Sequence, residues 1–86
     1  MQSRRVQASP LALFLQYPTG VVVVSTRQHG CVFIEMDYDG DYEVYGFSID
    51  SLKFKSESDV IQYCGDFTMV EVLNQETYEQ TTVWSL

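Results

Sequence analysis

Apolar runs separated by short polar breaks divide the chain into seven predicted elements. Residues 21–24 are four consecutive valines, which favour a strand because β-branched side chains fit a pleated backbone. Their unbroken apolarity predicts that both faces of this strand are covered. Turn residues and apolar patterning predict four further strands, in CVFIEMD, YEVYGFSID, FTMVEVLN and TTVWSL.

Two segments carry helix signals. Ser9 is a good N-cap before Pro10, and LALFLQ then predicts about two helical turns. The second helix begins after Ser56, which with Asp59 resembles a capping box that has Asp in place of the usual Glu or Gln, and it ends at Gly65. Its predicted apolar face holds Val60, Ile61 and Cys64, with Tyr63 lying off that face.

Together these elements predict a single α+β domain over residues 1–86. It should contain a largely antiparallel sheet of four to five strands and two short helices, in the order α-β-β-β-α-β-β. A chain of 86 residues is too short for two independent cores. Residues 1–8 are expected to be flexible. Trp84 is expected either to complete the core from an edge strand or to form an exposed anchor for a partner.

The segment MDYDGDYE, residues 36–43, is predicted to be the tip of a hairpin. With residues 39–40 as a two-residue loop, Met36 would pair with Glu43. This register predicts one apolar face containing Val32, Ile34, Met36, Tyr45, Phe47 and Ile49. It places Glu35, Asp37 and Tyr42 on the opposite face.

Charge is distributed unevenly along the chain. Residues 1–34 contain three arginines and no acid, whereas residues 35–86 contain all twelve acids and two lysines. An acidic surface repels phosphate backbones, so direct nucleic-acid binding is not expected. The apolar runs are too short to predict a membrane span. The low cysteine count favours a reduced, cytoplasmic protein, although the sequence leaves a disulfide between Cys31 and Cys64 open.

Few residues suit catalysis or metal binding. His29 is the only histidine, and a turn rarely directs residues i and i+2, here His29 and Cys31, toward one another. The acids at alternate positions 37–41 match the first half of a calcium loop. However, Tyr42 and Ser48 stand where such a loop needs Gly and Glu. We therefore predict no enzymatic activity, no metal site and no cofactor.

The hairpin carboxylates are the candidate interaction site. Five acids occupy alternate positions between 35 and 43, and we expect them to lack a compensating lysine, although like charges across a hairpin repel. A basic partner would gain association rate and specificity from them. The predicted partner-binding residues are Glu35, Asp37, Tyr38, Asp39, Asp41, Tyr42 and Glu43.

These features predict a small acidic protein-binding module. It would act as an inhibitor or adaptor by occupying the nucleic-acid-binding surface of a basic partner protein, such as a nucleic-acid-binding enzyme. In composition it is similar to small proteins of phages and mobile elements that inhibit such enzymes. The alternative is a homo-oligomeric module, for example a homodimer, without an inhibitory role.

Overall fold

The computed structural model describes residues 10–17, 19–47 and 49–85. A six-stranded antiparallel sheet, in the order β4-β3-β2-β1-β5-β6, forms its centre. In chain order the elements are a 3₁₀ helix (Pro10–Leu15), β1 (Val21–Thr26), β2 (Gly30–Met36), β3 (Tyr42–Gly46), β4 (Ile49–Phe54), α1 (Glu57–Cys64), β5 (Phe67–Leu73) and β6 (Gln80–Ser85). The predicted α+β class is confirmed, but the sheet is larger than four to five strands.

The sixth strand arises because residues 42–50 form two strands rather than the single one predicted. The chain reverses at Phe47, and β4 returns along β3 with Ile49 beside Gly46. Glycine at position 46 allows a close approach to β2, since an added Cβ would lie 2.9 Å from the carbonyl oxygen of Cys31. Gly46 therefore meets a steric need of the sheet.

The β2–β3 hairpin is shifted by one residue from the predicted register. Met36 pairs with Tyr42 rather than with Glu43. The Asp37 N–H donates to the Asp41 carbonyl oxygen at 2.9 Å, so the loop contains three residues, 38–40. Gly40 ends this loop with a φ of 86°, a left-handed conformation that glycine adopts without steric cost. The Asp-Gly pair does form a tight turn, but with one residue more than predicted.

This shift exchanges the two faces of β3. Val44 is completely buried on the core face. Tyr42 packs against the core, with its ring centroid 6.2 Å from that of Phe14. Tyr45 and Phe47 lie on the opposite face. The prediction that placed Tyr45 and Phe47 in the core and Tyr42 outside it is therefore wrong.

The core lies on one face of the sheet, beneath the 3₁₀ helix and α1. Its buried members are Leu11, Phe14, Val22, Val24, Val32, Ile34, Val44, Val60, Cys64 and Val70. All four valines of residues 21–24 are buried, as predicted. Val23 lies on the other face, where Phe33 and Glu71 flank it on the neighbouring strands.

Helix α1 follows its local sequence signals. The Ser56 hydroxyl accepts a hydrogen bond from the Asp59 N–H at 3.2 Å, and Gly65 ends the helix with a φ of 74°. Val60 and Cys64 are completely buried, which confirms their predicted place. Within the described ranges, neither helix is long and apolar enough to cross a membrane. The predictions for residues 1–8, for the Ser9 cap and for the Trp84 side chain lie outside what the structure describes.

Candidate protein-interaction surface

The face of the sheet opposite the core has no helix packed on it in the described part of the chain. We call it the open face. Its side chains include two buried valines, Val21 and Val23, and six partly exposed residues, Cys31, Phe33, Glu35, Glu43, Tyr45 and Glu71. Apolar and aromatic residues thus alternate there with carboxylates.

Asp37 organises the hairpin turn. Its Oδ1 accepts hydrogen bonds from the N–H groups of Asp39 and Asp41, each at 2.9 Å. Its Oδ2 is shielded from water and lies 3.4 Å from the Lys53 Nζ. Desolvation by itself raises the pKa of Asp37, but the two backbone N–H groups and Lys53 outweigh it and hold that pKa below its usual range. Asp37 thus has a structural role.

The low pKa of Asp37 predicts acid sensitivity of the hairpin. A carboxylate whose pKa is depressed by folding stabilises the protein above about pH 4, and the contribution disappears as pH falls through the folded-state pKa. We expect Asp37→Asn to flatten the fall in unfolding free energy between about pH 5 and pH 2. Urea unfolding at several pH values measures this. Asp39→Asn, in the same loop, is the reference for the loss of one carboxylate, and an identical curve for Asp37→Asn and wild type would contradict the assignment.

Two lysines from β4 and its end neutralise part of the hairpin. Because β4 pairs with β3, Lys53 reaches Asp37, and the Lys55 Nζ lies 3.7 Å from Asp41 Oδ2. The expectation that these carboxylates lack a compensating lysine is therefore wrong for Asp37 and Asp41. Both pairs are exposed on the lysine side, so each contributes little to stability.

The two tyrosines predicted to contact a partner lie in different surroundings. Tyr38 projects from the tip of the hairpin and is completely exposed, beside the exposed Asp39. Tyr42 packs against the core under the 3₁₀ helix. Of the two, only Tyr38 exposes its whole side chain to solvent.

Glu35 and Glu43 lie directly opposite each other on the open face. Neutral groups hold both carboxylates: the Tyr45 hydroxyl donates to Glu35, and the Ser51 hydroxyl donates to Glu43, each at 2.5 Å. Desolvation and the Glu35 carboxylate raise the pKa of Tyr45, so its phenol remains a donor. Lys53 lies opposite Glu43 in β4, but its ion pair is with Asp37. Among the described residues, neither glutamate has a lysine or arginine within ion-pair distance.

A hollow of about 610 Å³ lies at one end of the sheet, between the hairpin tip, the start of β1 and the loop between β5 and β6. Its lining residues are Thr19, Gly20, Glu35, Met36, Asp37, Tyr38, Glu43, Gln75 and Glu76. Four of them are acids, and none is basic. The hollow is therefore a negatively charged depression that suits a cationic side chain.

Three aromatic side chains lie beside Glu35 and Glu43 on the open face. The rings of Phe33 and Tyr45 stack with centroids 5.5 Å apart, and Phe47 meets Phe33 edge-on at 5.8 Å. Phe47 is 91% exposed. We call Phe33, Tyr45 and Phe47 the aromatic cluster. Sequence reasoning missed it because the predicted register placed two of its members in the core.

His29 is bound to the end of α1 and has a structural role. Its Nε2 lies 2.9 Å from the carbonyl oxygen of Tyr63 and donates to it, because a carbonyl only accepts. The two rings also stack, with centroids 4.4 Å apart. Tyr63 thus packs against the core and His29, which corrects its predicted position off the buried face.

The two cysteines are free thiols on opposite faces of the sheet. Desolvation and the Glu71 carboxylate raise the pKa of Cys31, so the reactive thiolate is disfavoured there. Desolvation in the core raises the pKa of Cys64 to about 11. In the part of the chain that the structure describes, no three or more His, Cys, Asp or Glu side chains are grouped to hold a metal ion.

Comparisons with protein-family models, with curated proteins and with solved structures give no match to this chain. The chemistry of the chain's own surface therefore carries the functional argument. Two features dominate that surface, the acidic hollow and the adjoining aromatic cluster.

Proposed function

We propose that the protein is a small acidic binding module whose hollow receives lysine and arginine side chains of a basic partner protein. By covering those side chains it acts as an inhibitor or adaptor at a surface that otherwise binds nucleic acid. One observation carries the proposal: Glu35, Glu43 and Glu76 line the same hollow, and no described lysine or arginine lies within ion-pair distance of them. Folding alone gains nothing from gathering these charges.

The arrangement of neutral donors supports binding. Hydroxyl groups of Tyr45 and Ser51 hold the Glu35 and Glu43 carboxylates in place without cancelling their charge. A partner cation therefore meets acceptors that are already oriented, which reduces the entropy lost on binding. Asp37 and Asp41 are not counted among the residues that bind the partner's cations, because Lys53 and Lys55 already offset their charges.

Charge and edge structure favour a different protein as the partner over a second copy. Each copy has a net charge of −7, and the described lysines already pair within the chain. The pairing of β6 with β5 is irregular between Val70 and Glu71, and β4 carries the charges of Asp50 and Lys53. Irregular pairing and charged residues both make a sheet edge a poor template for strand addition.

A defined peptide tests the hollow. We expect the triple variant Glu35→Gln, Glu43→Gln, Glu76→Gln to bind octalysine about tenfold more weakly than wild type, since each exposed ion pair contributes about 0.2–1 kcal/mol. Fluorescence anisotropy at about 50 mM salt, where screening is limited, measures the change. The matched control Asp50→Asn, Glu57→Gln, Asp66→Asn removes equal charge outside the lining and should lose less than about twofold. Equal losses in both variants would contradict the proposal.

A test of the inhibitory role requires the partner protein itself. Wild-type protein immobilised in a nuclease-treated lysate should retain a basic protein that the Glu35, Glu43, Glu76 variant does not retain, and added salt should release it. Nucleic acid bound by that protein should then compete with the module. Simultaneous binding of module and nucleic acid would exclude the blocking role.

A further inference from the structure

We propose, resting on the function above, that the aromatic cluster is an arginine-recognition site, so that the module prefers arginine to lysine in its partner. The cluster lies on the open face beside Glu35 and Glu43. The occupant is a guanidinium group of the partner, which lies on the rings while it pairs with a neighbouring carboxylate.

The aromatic cluster leaves ring surface exposed to solvent, chiefly at Phe47. Phe33 and Tyr45 face each other across β2 and β3, and Phe47 extends their contact beyond the end of β3. Phe47 is 91% exposed, although most of the apolar residues near it in the chain are packed. A stacked pair and a solvent-exposed ring at its edge provide flat π surface that a ligand can cover.

The carboxylates lie next to the rings on the same face. Glu35 is two residues from Phe33 in β2, and Glu43 is two residues from Tyr45 in β3. Each separation is about 7 Å along the strand. The Tyr45 hydroxyl bonds to Glu35 and holds this carboxylate at the border of the aromatic cluster. A cation on the rings thus lies within reach of a fixed negative charge.

Only arginine among the basic side chains can use both features at once. Its guanidinium group is planar and weakly hydrated, so it stacks on an aromatic face while its edge donates two parallel hydrogen bonds to a carboxylate. A lysine ammonium is compact and strongly hydrated, and it makes a point contact with either group. The surface therefore discriminates by shape as well as by charge.

A purely apolar partner or a second copy of the open face fits poorly. Glu35, Glu43 and Glu71 share this face, and an apolar cover would remove their charges from water without compensation. Two open faces would bring the same carboxylates together. Charge complementarity selects a cationic occupant.

Octa-arginine and octalysine, tested on the intact protein, separate the possibilities. We expect wild type to bind octa-arginine about tenfold more tightly than octalysine, and Phe47→Ala to weaken octa-arginine about fivefold while leaving octalysine unchanged. Phe47→Leu should behave like Phe47→Ala, because the ring rather than its apolar area is used. Leu15→Ala, at an 88% exposed site on the 3₁₀ helix, is the control and should alter neither affinity.

Three other outcomes would contradict either the arginine preference or the proposed function. Equal binding of the two peptides to wild type overturns the arginine preference and leaves the proposed function intact. A preference that persists in Phe47→Ala also overturns it, because the peptide and not the aromatic cluster would then be its source. Failure of both peptides to bind wild type overturns the proposed function and, with it, this inference.

Discussion

Val44→Asp should leave the protein largely unfolded at 25 °C, whereas Phe47→Asp should change the free energy of unfolding by less than about 1 kcal/mol. Val44 is completely buried in the core on β3, while Phe47 is 91% exposed just beyond the same strand. A carboxylate at position 44 would have no described cation beside it in the core. Burying it unpaired costs several kcal/mol, which compares with a total stability of about 4–13 kcal/mol for a chain of this size.

Urea unfolding followed by circular dichroism measures both changes, with wild type as the reference. The pair of variants also tests the hairpin register. A two-residue loop would place Phe47 in the core and Val44 on the open face, and it would reverse the order of the two effects. A folded Val44→Asp together with an unfolded Phe47→Asp would therefore contradict the three-residue loop.

Gly46→Ala should lower the free energy of unfolding by about 2–3 kcal/mol. An added Cβ would lie 2.9 Å from the carbonyl oxygen of Cys31, and a backbone atom inside a sheet cannot move aside without displacing β2. The midpoint and slope of urea unfolding give the change. Displacement of β2 would also change the spacing of Phe33 and Tyr45, so arginine binding should weaken in the same variant.

Gly40→Ala is the control for this prediction. Position 40 has a φ of 86° but no heavy atom within 4 Å of an added Cβ, so only the backbone conformation is penalised. That penalty is about 1–2 kcal/mol. A smaller effect at position 46 than at position 40 would show that β2 and β3 adapt to the extra methyl group.

Local signals in the sequence determined several elements correctly. The cap of α1 depends on Ser56 and Asp59, which are three residues apart, so the sequence contains the whole hydrogen-bonded unit. The valines of residues 21–24 favour a strand through their own side-chain sterics. The α+β class followed from such segments, because each depends on neighbours in the chain.

The boundary between β3 and β4 was not readable from the sequence. Asp-Gly turns occur in hairpin loops of both two and three residues, so the motif alone leaves the register undetermined. A difference of one residue then moves every side chain of a strand to the other face. The reversal at Phe47 also lacks an Asn-Gly or Asp-Gly pair, and the whole segment 42–50 therefore resembled one strand.

The composition of the candidate surface was decided by tertiary structure. The sequence determined that acids are concentrated near the hairpin, since their order along the chain is enough to show it. Strand pairing decided that Lys53 and Lys55 offset Asp37 and Asp41, and that Glu76 joins the hollow from a distant loop. The physical reason is that charges and rings act through space over a few ångströms, and only the pairing of strands sets which distant residues come that close.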